Sequence, residues 1–427
     1  MKKYLYLPRE YILVVGDTFE LFYRGIVNAV NIDCYDFEIF YEDGANRGKA
    51  WPRKYVFLPT EADLGEHVMT VRLWNNEGDV LDEQSVRVRI INPPTSPKTE
   101  KVVLLIGASD AEPGYWPAEL GRRMIGTGGT PCGLGLENLC FIGSLERDGI
   151  GYEGYGGWTF KQYTVANVWC KNFVYVYGDF SDKNPASDQH SVYVDEKGQS
   201  WKLEAITPER LKLICPSPWG ALPSSEGGTL KHLSGGENFG DISYTRAENA
   251  EANPFWSIEK GRNDFKSYAK KFGKDRIDEV IVALTWNSHW WTGEDYREWA
   301  VRFADSVNYD FPDCHVSYVG GLFPSREGFS QSYGISWPWF PKLKKLREFD
   351  EILMELAEED PERRSFMQLS SQHDSENNCQ KREYVINERN PDTVLLGCNG
   401  LHVAPSGHMQ FADAIWRHLC FRLSHGE

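Results

Sequence analysis

The stretch Lys101-Val-Val-Leu-Leu-Ile-Gly-Ala-Ser-Asp110 decides the fold. Val102 to Ile106 is apolar without a break, so it lacks the alternation of a half-exposed strand and predicts one buried on both faces. Similar runs follow at Leu139-Cys-Phe-Ile, Val280-Ile-Val-Ala-Leu and Val316-Ser-Tyr-Val. Helical spacing appears between them. Trp116, Leu120 and Met124 share a face, with Pro117 in the first turn. Leu343 to Leu356 predicts an amphipathic helix, and Ser406 caps a last one whose apolar face carries Ala412, Ile415, Trp416, Leu419 and Leu423. Strand–helix alternation predicts an α/β, three-layer domain over 101–427 with a mainly parallel sheet.

Residues 1–94 have a different pattern. Val68-Met-Thr-Val-Arg-Leu-Trp and Ser85-Val-Arg-Val-Arg-Ile-Ile alternate with period two, and Asn75-Asn-Glu-Gly marks a turn between them. Short strands at this spacing predict an immunoglobulin-like β-sandwich. Pro93-Pro-Thr-Ser-Pro leads into a stiff linker, placed at 95–100. Tyr175-Val-Tyr, Ser191-Val-Tyr-Val and Trp201-Lys-Leu-Glu predict a β-rich insertion over about 172–235, with a loop at Pro223-Ser-Ser-Glu-Gly-Gly.

The formal net charge is −16, a field that repels phosphate backbones and anionic bilayers, so neither nucleic acid nor membrane is an expected partner. No run reaches the ~18 apolar residues of a membrane span. Pro8, Arg9 and Glu10 interrupt the apolar run at the start before it could form a signal-peptide core, and the nine cysteines form no CxxC pair. The expectation is a cytoplasmic protein with reduced thiols, no metal and no cofactor. The fifteen tryptophans are either core pieces or stacking platforms for sugars.

Four places can carry chemistry. Ser109 follows a buried strand, where open α/β sheets bind ligands and where its backbone amide can face an oxyanion. Gly156 and Gly157, in Tyr152-Glu-Gly-Tyr-Gly-Gly-Trp-Thr, permit close backbone approach. Asn287 ends the Val280 strand run and offers an amide donor. His402, in Asn399-Gly-Leu-His-Val-Ala-Pro-Ser-Gly407, lies in a loop before the last helix and titrates near neutrality. Each also has a bland reading, as helix cap, tight turn, strand-end turn and surface histidine.

In this order the four resemble the blocks of the SGNH (GDSL-like) hydrolase family, over roughly 101–427. The resemblance implies a flavodoxin-like domain, Ser109 as nucleophile, His402 as general base, and Ser109, Gly157 and Asn287 as the oxyanion hole. Glu153-Gly-Tyr-Gly-Gly-Trp-Thr and Asn253-Pro-Phe-Trp look like the carbohydrate-esterase branch, in which a β-sandwich often precedes the catalytic domain. Ala108 replaces the usual Asp before the nucleophile, Thr285-Trp-Asn-Ser replaces G-x-N-D, and Val403 stands where proline usually follows the histidine. Asn399 occupies the position of the family's acid. Either Asn399 orients His402 as a neutral third member, or another carboxylate does, with Asp392 and Asp374 nearest in sequence.

The resemblance, together with the tryptophan density, implies an acetylesterase acting on O-acetylated oligosaccharides of plant polysaccharide origin; the sequence also leaves a homo-oligomer open. Trp158, Trp286, His289 and Trp290 are the candidate substrate contacts; Trp116, Trp291 and Glu112 also lie near the four blocks in sequence. Two other readings stand: a non-catalytic sugar-binding or structural protein, including an inactive relative, and an esterase or thioesterase for lipid-like acyl chains.

Overall fold

The computed structural model describes residues 3–165, 173–183, 191–214, 226–235, 240–249, 253–257, 259–333 and 338–425. They fall into two compact units, Met1–Phe160 with Phe265–Glu427, and Lys161–Asp264.

In the first unit, strand Lys101–Gly107 is the centre of a seven-stranded sheet. It pairs in parallel with Glu279–Val282 on one side, and with Leu139–Ile142 and then Ile150–Gly154 on the other. His315–Val319 and Arg364–Met367 extend the sheet, also in parallel, and only Leu145–Arg147 joins antiparallel. Leu104, Leu105 and Ile106 are all fully buried, as a strand covered on both faces requires. Trp116 and Leu120 of helix Tyr115–Ile125 share one apolar core with Phe411, Ile415 and Leu419 of helix Pro405–His425. Helices Gly293–Asp310 and Trp339–Glu359 supply further cover.

Seven strands precede this sheet. Glu10–Val14, Val80–Ile91, Gly65–Trp74 and Asp36–Tyr41 form one sheet, and Phe19–Phe22, Lys54–Phe57 and Lys49–Ala50 another. Alternate residues from both, among them Leu13, Leu21, Met69 and Val88, bury one shared core. This region is not an independent body. Asp17 accepts from Arg123 Nη2 and from Arg417 Nε, each at 2.7 Å, all three side chains being almost wholly buried. The segment read as a linker is tied down as well. Ser96 Oγ accepts from Glu137 N at 2.8 Å, and Pro97 O from Asn138 Nδ2 at 3.0 Å.

The second unit, Lys161–Asp264, is wider than the 172–235 insertion expected from sequence. Its seven-stranded antiparallel sheet runs from Phe173–Tyr177 to Arg246–Asn249, so it is completed by strands beyond residue 235 too short for their alternation to be read. Val174, Trp201, Leu213 and Leu230 form its core. The predicted loop at Pro223 falls partly outside the described residues, which resume at 226. No helix among the described residues is long and apolar enough to cross a membrane.

Candidate active site

Parallel strands put their carboxyl ends on one side, and the connecting loops meet there. Ser109 stands two residues past strand Lys101–Gly107. Asn287 lies in a short 3-10 turn, Trp286–Ser288, after strand Glu279–Val282. Together with Trp286, Gly320, Leu401 and His402 they line a cavity of about 30 Å³.

The nucleophile loop is closely built. Asp110 Oδ1 accepts from Ala108 N at 3.2 Å, and burial pushes its carboxyl up to about 6. A Cβ on Gly107 would fall 2.5 Å from the Ala111 side chain, so this strand end needs glycine.

His402 comes from the far end of the chain, after hairpin Lys381–Asn387/Asn390–Gly397 and just before the last helix. Ala404 N donates to Asn378 O at 2.9 Å, tying the loop down. His402 Nε2 lies 2.9 Å from Ser109 Oγ, across 293 residues of sequence. Burial holds the imidazole below its ordinary range, and the carboxylate of Glu112 opposes that shift.

Asn399 does not orient the ring, which corrects the expectation from sequence. Its Oδ1 accepts from Leu401 N at 2.9 Å and from His402 N at 3.0 Å, and its Nδ2 donates to Gln380 Oε1 at 2.9 Å. The amide is consumed in shaping the turn, as Asn side chains in loops often are. The two carboxylates nearest in sequence do not replace it. Asp374 accepts from Asn377 N and Asn377 Nδ2, at 3.0 and 2.9 Å, and Asp392 is exposed on the hairpin. Among the described residues none hydrogen-bonds to His402 Nδ1.

Gly157 adopts φ +85°, a conformation suited to glycine, within a turn in which Trp158 N donates to Tyr155 O at 3.1 Å. That turn lies against the nucleophile loop: a Cβ on Gly156 would stand 3.9 Å from Ser109 Cβ and 2.9 Å from Glu112 Oε2. Asn287 Nδ2 donates to Trp158 O at 3.1 Å, which fixes the asparagine amide beside the same turn. Below it, Glu153 is wholly buried, with Tyr155 Oη donating to it at 2.6 Å and Tyr268 Oη also bonded to it.

The aromatic candidates separate. Trp158 and Trp116 are fully buried and belong to the packing; Trp158, tilted against Tyr155, is therefore not a substrate contact in this structure. Trp286 is half-buried in the cavity wall, with Lys342 Nζ 4.3 Å from its ring centroid. Trp290 is 74% exposed and packs at 4.3 Å on the ring of His289, whose Nδ1 lies 3.0 Å from Trp286 O. Burial pushes His289 down to about 4, so it is neutral near pH 7. Lys342 was missed in the sequence, hidden in an amphipathic helix pattern; desolvation lowers its ammonium to about 7.

No family model matches the sequence, and no curated protein does. Solved structures do resemble it. A carbohydrate esterase family 2 enzyme with a carbohydrate-binding domain, from Corynascus thermopiles, is 10% identical, with 97% of this chain and 92% of that one covered at a TM-score of 0.34. A family two carbohydrate esterase from Clostridium thermocellum in complex with cellohexaose is 9% identical, with 96% and 94% covered at 0.31. A carbohydrate acetylesterase from Sinorhizobium meliloti is 11% identical, with 75% and 99% covered at 0.33.

Proposed function

We propose that this protein is a serine esterase of the SGNH type that removes O-acetyl groups from carbohydrates through an acyl-enzyme. The observation that carries the reading is the 2.9 Å contact between Ser109 Oγ and His402 Nε2 at the carboxyl end of a parallel sheet. His402 takes the hydroxyl proton as Ser109 Oγ bonds to the ester carbonyl carbon. The backbone amides of Ser109 and Gly157 and the side-chain amide of Asn287 receive the oxyanion. The tetrahedral intermediate collapses with cleavage of the ester C–O bond, and His402 returns its proton to the leaving sugar oxygen. A water, deprotonated by His402, then attacks the acyl carbon, and acetate leaves as Ser109 regains its proton.

The pair works as a dyad. Nothing among the described residues bonds to His402 Nδ1, and Glu112 is the carboxylate that favours the imidazolium electrostatically. Activity requires neutral His402, so kcat/KM against pH should rise from the acid side with an inflection below 6.5. Glu112→Gln removes a charge that raises the imidazole pKa, so it should move that inflection further to acid; an unmoved or raised inflection would count against the electrostatic role.

The small space at Ser109, about 30 Å³, supports a short acyl group over a long one. By the measure in which one water needs about 10–15 Å³, it has room for about two. The p-nitrophenyl octanoate to acetate ratio of kcat/KM should be below about 1:100, on the principle that each misfit methylene costs about 1–3 kcal/mol. Equal rates would favour the lipid-ester reading. Trp290, exposed three residues after Asn287 and packed on His289, and Trp286 in the cavity wall are suited to stacking on sugar rings. Acetate release across acetylated xylan, mannan and pectin fragments tests the substrate class. Saturable sugar binding without acetate release would favour a binding protein instead. Asn287→Ala should lower kcat by about 10²–10³-fold, the usual cost of losing one oxyanion donor, with KM little changed.

A further inference from the structure

A cavity of about 510 Å³, far larger than the space at Ser109, lies along strand Arg364–Met367, which is the edge of the seven-stranded sheet. His315 and Arg364, the first residues of their parallel strands, line it, so it reaches the end of the sheet opposite the one that holds Ser109. Strand Glu10–Val14, itself the edge of its own sheet, closes the other side. Its size falls within the range of about 300–1,000 Å³ of small-molecule sites.

The charge of its lining runs against that of the chain. In a protein of net charge −16, six arginines border this cavity, Arg9, Arg87, Arg89, Arg364, Arg417 and Arg422, against two carboxylates, Glu10 and Glu358. Five of the six have structural partners: Arg9 with Glu358, Arg89 with Glu10, Arg364 with Asp305, Arg417 with Asp17 and Arg422 with Glu279. Arg87 is exposed and has no carboxylate partner among the described residues.

The remaining wall is apolar and neutral-polar. Ile12, Met354, Phe366 and Phe421 supply an apolar face. Ser365 Oγ lies 2.9 Å from His315 Nε2 and 2.8 Å from His418 Nε2, and burial pushes both imidazoles down to about 3, which leaves them uncharged. Neither histidine has a place in the ester chemistry.

We propose that this cavity is a second binding site, separate from the esterase centre, for a small organic anion whose carboxylate or phosphate group pairs with Arg87 and whose apolar body lies against Phe421 and Met354. An arginine fork suits either oxyanion, and the apolar wall distinguishes an organic anion from a bare inorganic one.

The test is calorimetric titration of the full chain with four probes: phenyl phosphate, benzoate, inorganic phosphate and benzyl alcohol. Phenyl phosphate or benzoate should bind saturably, at least ~10-fold more tightly than inorganic phosphate and than neutral benzyl alcohol; the stronger of the two identifies the oxyanion. Arg87→Ala should weaken that binding by ~10-fold or more while leaving p-nitrophenyl acetate turnover unchanged, and Ser109→Ala should leave it intact. Absence of saturable binding by either organic anion would overturn the proposal. So would inorganic phosphate binding as tightly as phenyl phosphate, unchanged affinity in Arg87→Ala, or loss of binding in Ser109→Ala.

Discussion

Ser109→Ala is expected to lower kcat/KM for p-nitrophenyl acetate by at least ~10³-fold, with the fold unchanged. The expectation follows from chemistry. Without Oγ there is no atom to bond to the carbonyl carbon, and the acyl-enzyme cannot form. What survives is the oxyanion pocket and the base, which can still assist direct attack by water. Ser109 is partly exposed in a loop whose shape is set by Asp110, Ala111 and Gly107, so deleting its hydroxyl disturbs no core packing. An unchanged circular dichroism spectrum and melting temperature would show that the loss is chemical. A variant retaining more than about a tenth of the activity would mean that another group is the nucleophile.

The second large effect is on stability. Asp17→Ala should cost about 3–5 kcal/mol, because it removes one partner of a buried ion-pair network and strands the others. Asp17 is the anchor of two cations, Arg123 on the helix after Ser109 and Arg417 on the last helix. Arg123 keeps Asp413, and Arg417 keeps Gln372 Oε1 and Thr18 O, yet positive charge then outweighs negative around two arginines that are almost wholly buried. Urea unfolding followed by tryptophan fluorescence gives the midpoint. A shift worth less than about 1 kcal/mol would mean that the network contributes little and that apolar packing alone joins the amino-terminal strands to the sheet. Turnover per folded molecule should stay close to normal, since Asp17 is not in the lining of the Ser109 cavity.

Legibility in the sequence followed the strength of periodicity. Val102 to Ile106 could be read as a buried strand because burial on both faces removes polar residues altogether, and the structure has Lys101–Gly107 at the centre of the sheet. Ser85 to Ile91 could be read because one face is solvated, and it lies within strand Val80–Ile91. Two- to four-residue strands such as Arg246–Asn249 are too short to show either pattern, which is why the part of the second unit beyond residue 235 is not legible in the sequence.

The site divides in the same way. Ser109 and His402 stand out by position, one after a strand and one before a helix, and they meet at 2.9 Å. Asn399 misled because a side chain three residues before a histidine can reach either its ring or its backbone amide, and sequence spacing does not distinguish them. The structure has it on the amide of His402. Trp158 misled because a tryptophan's exposure depends on what packs over it, and here it is fully buried. Glu112 sits in the nucleophile loop, but its influence on His402 arises only when the two ends of the sheet domain come together.

Covalent labelling puts the Ser109–His402 pairing to its most direct test. The protein is incubated with a serine-directed organophosphate, digested, and mapped by mass spectrometry while residual esterase activity is followed. One adduct per chain, on the peptide containing Ser109, with activity falling in proportion and labelling abolished in His402→Ala, is the predicted result. Activity lost with the label on a different serine, or with Ser109 unmodified, would contradict it.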